Sequence, residues 1–178
     1  SNAPRNLPLR GHKLKPYEGG TRVPLIVRWP GVIKAKSKSD QYVIAEDIFP
    51  TFLELAGVGQ YQQIGGQIDG ISFVPLLEKS DGYPKQRPIY WHFPNTYGQS
   101  PYSSMRQGDW KLIYHYGSER VELFNLRDDL GEKQDLSAKH PERAQELVVK
   151  LADFLSRAKA LMPLDKVTGQ PVPLPRMA

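Results

Sequence analysis

The chain has 178 residues, a length that suits one compact domain with a core of its own. Hydrophobic residues make up 39% and the mean hydropathy is −0.51, and no run approaches the ~20 apolar residues that a membrane-spanning helix needs. Cysteine is absent, which excludes a disulfide framework, a Cys-ligated zinc site and thiol catalysis within this sequence. The net charge of +5 suits anionic ligands in general, although ordinary solvated surface accounts for it equally well.

In chain order, Ser1-Asn2-Ala3 reads as the scar of a cleaved expression tag and is set apart from the fold. Residues Pro4 to Gly20 carry Pro, Gly and basic residues without either period, so they read as an extended loop. Val23 to Trp29 (VPLIVRW) is a nearly continuous apolar run closed by Pro30-Gly31, the pattern of a strand buried on both faces of a largely parallel sheet. After the polar connector Lys34 to Asp40, a helix is predicted over Asp47 to Val58. Ile48, Phe52, Leu55 and Ala56 fall at helical spacing there, Asp47 caps the start, Pro50 is confined to the first turn and Gly57 stops the helix. A glycine-punctuated stretch with an apolar patch at Ile71 to Leu77 follows, and a subdomain boundary is placed near residue 80.

Beyond it the period changes to two. Ile89 to Phe93, Ser103 to Gln107, Trp110 to Tyr114 and Val121 to Asn125 read as an antiparallel meander with turns at Gly108-Asp109 and Gly117-Ser118. Pro141 opens a helix with one apolar stripe: Ala144, Leu147, Val148, Leu151, Leu155, Ala158 and Leu161. That stripe is expected to cover one face of the meander, and the tail from Pro163 reads as extended.

The densest polar constellation is Arg10-Gly11-His12-Lys13 followed by Tyr17-Glu18-Gly19-Gly20-Thr21-Arg22-Val23-Pro24. Paired glycines beside charges allow close backbone approach to a ligand, but spacing alone favours a tight turn in which Glu18 and Arg22 pair with each other or with backbone. The pattern Gly11-x-Lys13-x-x-x-Tyr17-Glu18-Gly19-Gly20-x-Arg22-Val23-Pro24 resembles the second signature of the sulfatase family. The same resemblance continues through Trp29-Pro30-Gly31, Asp47-Ile48-x-Pro50-Thr51 and Asp69-Gly70-x-Ser72, then Tyr90-Trp91-His92, Arg106-x-Gly108-Asp109-Trp110-Lys111-Leu112 and Glu122-Leu123-Phe124-Asn125-Leu126-x-x-Asp129-x-Gly131-Glu132. It spans residues 10 to 162, and several motifs in order make it far more specific than any one.

The resemblance implies the C-terminal portion of an alkaline-phosphatase-like enzyme, α/β in the whole and α+β in this chain. Residues 4–80 would be the end piece of the α/β sheet, 81–162 a small antiparallel meander packed by a C-terminal helix, and 163–178 an extended Pro-rich tail. Lys13 matches the family lysine that contacts the sulfate ester, where an ammonium stabilises charge developing on the sulfuryl oxygens. His92 and His12 are candidate substrate-binding residues, each weighed against an ordinary structural or solvated histidine. Arg106 and Lys111 are expected to pair with carboxylates, Trp91 and Trp110 to be core or interface residues, and Asp128-Asp129 to belong to a turn.

Sulfatases use a formylglycine made from Cys or Ser in a C/S-x-P-x-R motif, and they bind calcium. The sequence has no such motif, so the nucleophile and metal ligands are expected in an N-terminal catalytic portion, the implied partner. The chain by itself is expected to hold no cofactor and to be inactive. The substrate implied for the intact enzyme is a sulfated sugar or aryl sulfate, not nucleic acid; the sequence itself does not give the compartment, which the resemblance implies is periplasmic, secreted or lysosomal. The alternatives are a phosphatase or phosphonate hydrolase of the same superfamily, a non-catalytic module for sulfated glycans, or a lid completing a partner's cleft.

Overall fold

The computed structural model describes residues 6–58, 68–79, 81–98 and 100–177. The tag remnant at 1–3, much of the glycine-punctuated stretch and Ser80 lie outside these residues. The chain divides into two compact units, one made of the residues through Val23 together with Gln86 onward, the other of Pro24–Lys85.

The larger unit is built on a four-stranded antiparallel sheet in the order β1-β2-β3-β4: β1 Pro88–Phe93, β2 Tyr102–Gln107, β3 Trp110–His115 and β4 Arg120–Asn125. Each strand lies within a residue or two of its sequence prediction, because every pairing is between neighbours joined by a short connection. Register puts Tyr90 opposite Met105, Met105 opposite Leu112 and Leu112 opposite Leu123, so one apolar row crosses the sheet. The α-helices in chain order are α1 Glu18–Thr21, α2 Ile48–Leu55, α3 Val74–Glu78 and α4 Pro141–Arg157. Helix α4 covers this row with Ala144, Leu147, Val148, Leu151 and Leu155, all buried against Met105, Leu112, Tyr114 and Leu123. The helix ends four residues before Leu161, which is 83% exposed, so the predicted stripe runs past the true helix end. At that end the Ala158 amide bonds the Phe154 carbonyl and the following Lys159 takes a left-handed φ of 49°.

The opposite sheet face carries Tyr102, Ile113 and Phe124, joined by Leu126 and covered by Tyr17 from the N-terminal segment. Alternation along the strands also places Arg106, Lys111, His115 and Glu122 on this face.

In the smaller unit a 3-10 turn, Ala45–Asp47, leads into the helix Ile48–Leu55, shorter than the predicted Asp47 to Val58. Gly57 ends it at φ 73°, as its position suggests. Asp47 does not cap this helix through its side chain. Its buried carboxylate accepts the amides of Ile44 and Ile71, both at 2.9 Å, and so ties the turn to the segment before the short helix Val74–Glu78. Thr51 extends the tie, donating to the Asp47 carbonyl at 2.6 Å and accepting the Phe73 amide at 3.0 Å.

Two expectations are corrected in this region. Val23 to Trp29 forms no strand: Val23, Leu25 and Ile26 are exposed, because a strand of this type is stable only between partners that no described residue supplies. Helix Ile48–Leu55 buries Pro50 and Thr51, whereas Ile48, Phe52 and Leu55 of the predicted apolar stripe are exposed together with Phe49.

Candidate functional site

The candidate site is the segment from Asn6 to Arg22, folded over the polar half of the sheet. Its turn closes through the Lys15 amide, which donates to the His12 carbonyl at 2.9 Å, so Lys13 lies within the turn. The Gly19 amide donates to the Arg10 carbonyl at 2.7 Å, and Asn6 Nδ2 donates to the Gly11 and Gly19 carbonyls at 3.2 and 3.0 Å. A Cβ on Gly19 would collide with the carbonyls of Arg10 and Gly11, and one on Gly20 with those of His12 and Lys15. The paired glycines are therefore required because the turn backbone occupies the space of their side chains.

Glu18 sits on one turn of helix, Glu18–Thr21, with only 2% of its surface exposed. Lys111 of β3, fully buried, donates to Glu18 Oε1 at 2.9 Å and lies 3.0 Å from Glu132 Oε1. Glu132 Oε2 accepts the Glu18 amide at 2.6 Å, and the Glu132 carbonyl accepts Arg10 Nη1 at 2.8 Å. Arg106 and Arg22 approach Glu18 Oε2 at 3.6 and 3.9 Å, so the expected Glu18–Arg22 pair forms but is the longest of these contacts. Burial outweighs Lys111 at Glu132 and pushes its carboxyl above the ordinary value.

A second cluster adjoins it. Tyr17 donates its hydroxyl to Glu122 Oε2 at 2.9 Å, and His115 Nε2 bonds the same oxygen at 2.7 Å. Arg120 approaches it at 3.2 Å, while the Arg10 guanidinium stacks 3.7 Å from the centre of the Tyr17 ring. Burial pushes the Glu122 carboxyl up, but the hydrogen bonds from His115 and Tyr17 and the nearby positive charges outweigh it, and the carboxyl ends below its ordinary value. Burial, reinforced by Glu122, raises the Tyr17 hydroxyl to about 12.

The two clusters hold the segment while leaving its tip in solvent. Lys13 is exposed, and among the described residues no hydrogen bond or ion pair engages its ammonium. His12 is exposed too, with Nδ1 2.9 Å from the Lys13 carbonyl. The adjoining loop between β1 and β2 meets the same turn, where Lys15 Nζ donates to the Gly98 carbonyl at 3.4 Å.

His92 is placed differently. It shares the α4 face of the sheet with Tyr90, its Nδ1 lies 2.7 Å from Ser103 Oγ and its Nε2 lies 2.8 Å from the Leu161 carbonyl. Ser103 Oγ in turn bonds the Tyr116 hydroxyl at 2.8 Å. Both ring nitrogens are thus engaged within the fold, and the Lys13 segment packs on the other sheet face. Among the described residues no hydrogen bond joins His92 to His12 or Lys13.

Other sequence expectations find their places. Arg106 and Lys111 do pair with carboxylates, and Trp110 packs against the α4 core. Asp129 accepts the amides of Lys133 and Gln134, and Asp128 accepts Asn125 Nδ2, so the Asp pair builds the turn after β4. Sequence reasoning missed Glu132 as a buried partner of Lys111; its signal was its place in the Glu122 to Glu132 motif. A polar cleft of about 440 Å³ lies at the Gly108-Asp109 end of the sheet and includes none of the candidate residues. Among the described residues no group of three or more His, Asp or Glu side chains converges as a metal-binding cluster would. No helix among them is long and apolar enough to cross a membrane.

Comparison with known proteins places these features in a wider group. The family described as N-sulphoglucosamine sulphohydrolase, C-terminal, matches residues 12–160. A sulfatase of Formosa agariphila is 38% identical over 160 residues, covering 84% of this chain and 29% of the relative. An N-acetylglucosamine-6-O-sulfatase of Bacteroides thetaiotaomicron is 30% identical, covering 85% of this chain and 28% of the relative. Among solved structures, that of Ps i-CgsB in complex with k-i-k-neocarrahexaose superposes with a TM-score of 0.71 at 29% identity, covering 84% of this chain and 32% of that one. The chain thus spans just under a third of the length of the proteins it matches.

Proposed function

The chain belongs to the N-sulphoglucosamine sulphohydrolase C-terminal family of sulfatases, and on that premise we propose that it is the C-terminal part of an enzyme that hydrolyses sulfate esters of sugars. The observation that carries the reading is the Lys13 turn: a solvent-exposed ammonium on a backbone clamped by buried ion pairs at its base. An exposed lysine on a mobile loop would be a solvated charge. An ammonium on a fixed turn can be aimed at one point, and there it stabilises negative charge as it builds on the sulfuryl and leaving oxygens.

The formylglycine nucleophile and calcium belong, in this proposal, to the N-terminal catalytic portion, which the Cys-free sequence and its lack of a C/S-x-P-x-R motif lead us to place outside this chain. Formylglycine there would supply the nucleophilic oxygen for attack on sulfur. The exposed run Val23 to Val27 and the exposed Ile48, Phe49 and Phe52 are apolar surfaces of the kind that a larger sheet and its layers would bury. The sugar as substrate class is supported by one relative named N-acetylglucosamine-6-O-sulfatase and by a related structure, 29% identical with a TM-score of 0.63, solved in complex with its substrate D-glucosamine-2-N,6-O-disulfate. His12, beside Lys13 on the exposed turn, is the better placed of the two histidines to meet such a sugar, since His92 has both nitrogens bonded within the fold.

The test is Lys13→Ala in the sulfatase polypeptide that carries this chain. Loss of one positioned charge-stabilising donor should lower kcat/KM for N-acetylglucosamine 6-sulfate by about 100-fold. An unchanged kcat/KM would refute the role of Lys13.

A further inference from the structure

We propose that Lys111 and Glu18 are positioning residues for the sulfate-contacting lysine: the buried Glu18–Lys111–Glu132 cluster sets where Lys13 points, although none of the three touches substrate. This rests on the sulfatase reading above and adds to it a route by which the sheet interior governs the reacting end.

The route is continuous and made of short contacts. Lys111, fully buried on β3, holds Glu18 Oε1 at 2.9 Å and stands 3.0 Å from Glu132 Oε1. Glu132 holds the Glu18 backbone through its amide at 2.6 Å, so both the side chain and the main chain of Glu18 are fixed. The next two residues, Gly19 and Gly20, press directly on the carbonyls of Arg10, Gly11, His12 and Lys15, with no room for even one carbon atom between. Those carbonyls are the frame of the turn that carries Lys13, closed by the Lys15 amide on the His12 carbonyl. Glu132 reaches the same frame from the other side, because its carbonyl accepts Arg10 Nη1 at 2.8 Å. A displacement of Glu18 therefore has no slack to absorb it before it reaches Lys13.

Stability alone does not explain such an arrangement. A buried ion cluster is often no more stabilising than apolar residues of the same volume, since desolvation of the charges cancels much of their attraction. A charged cluster does define one geometry, through directional bonds that an apolar contact lacks. The beneficiary of that geometry is the turn at the end of the chain of contacts, whose one exposed cation without a partner among the described residues is Lys13.

The experiment is a double-mutant cycle in the sulfatase polypeptide that carries this chain, with kcat and KM measured on 4-nitrophenyl sulfate and on N-acetylglucosamine 6-sulfate. Glu18→Gln keeps the hydrogen-bond acceptor and removes one charge. Lys111→Met/Glu132→Gln removes the cation together with one of its carboxylates and so avoids stranding two buried charges. Each is made with and without Lys13→Ala, and the urea midpoint of each variant confirms that it is folded under assay conditions. With Lys13 present, the cluster variants should lower kcat about 10-fold or more with little change in KM, since small misplacement of a catalytic group is costly. With Lys13→Ala in place, the same changes should lower it by less than about 3-fold, because groups acting through one another are not additive. Equal factors in both backgrounds, in folded variants, would overturn the positioning role while leaving Lys13 as a sulfate contact. No loss from Lys13→Ala alone would overturn Lys13 as a sulfate contact and the positioning role with it, and no turnover of either ester by the unmodified polypeptide would overturn the proposed sulfate-ester activity together with both roles.

Discussion

Lys111→Met, made alone, is the sharpest perturbation of the larger unit. Lys111 has no exposed surface and faces two carboxylates at 2.9 and 3.0 Å, so its removal leaves Glu18 and Glu132 buried, close to each other and short of a cation. At an effective dielectric of about 20, each contact at this range is worth on the order of 5 kcal/mol of attraction. Much of that is cancelled by the ammonium's own desolvation, and measured losses on breaking a buried pair are about 3–5 kcal/mol. Arg106 and Arg22, at 3.6 and 3.9 Å from Glu18, offset part of the loss for that residue. An expected cost of about 3 kcal/mol is a large fraction of the 5–15 kcal/mol typical of a domain. The assay is urea unfolding followed by tryptophan fluorescence, since Trp91 and Trp110 both lie on the sheet. Glu132, whose carboxyl is already raised by burial, will be raised further without Lys111, so the folded variant takes up a proton more readily than the unfolded chain does. The deficit should therefore be largest at neutral pH and shrink as the pH falls through the raised pKa of Glu132. A cost below about 1 kcal/mol at neutral pH, far under that of a broken buried pair, or a deficit that grows on acidification, would refute the reasoning.

Tyr17→Phe removes the hydroxyl that donates to Glu122 and should cost about 1.5 kcal/mol, the lower end for a hydrogen bond to a charged group, in the same unfolding assay. Because the Glu122 carboxyl lies below its ordinary value when folded, its stabilising contribution is complete above the unfolded glutamate range and is lost as the pH falls through the lowered value. A pH series of unfolding midpoints on Glu122→Gln should lack that acid-side loss. Leu151→Ala, fully buried under the sheet, should cost about 2–5 kcal/mol, whereas Leu161→Ala, mostly exposed, should change the urea midpoint little.

The meander was legible in the sequence because its alternation and turn residues are local: each strand finds its partner within a few residues, and the apolar parity alone assigns Met105, Leu112 and Leu123 to one face. The stripe of α4 was legible for the same reason, although its end was misjudged by reading Ala158 and Leu161 into the helix. Val23 to Trp29 shows the limit of that logic, since an apolar run specifies that a strand would be buried but not what it would pair with. At the site, the motif pointed to Lys13 and Glu18, and a carboxylate partner for Lys111 was expected. Its identity was not readable, because Glu18 and Lys111 are 93 positions apart. His92 likewise stood out as a histidine in an aromatic strand, but its parity with Tyr90 turns it to the α4 face, where the Leu161 carbonyl, 69 positions away, takes Nε2.

The central proposal is that this chain completes a sulfate-ester hydrolase by supplying the Lys13 turn while the nucleophile comes from the remaining polypeptide. Its most direct measurement is release of sulfate from N-acetylglucosamine 6-sulfate by three samples: the purified chain, the separately produced remaining polypeptide, and their mixture. The account predicts no turnover by either alone and turnover in the mixture that Lys13→Ala abolishes. Sulfate release by the chain alone at the rate of an intact sulfatase would contradict it.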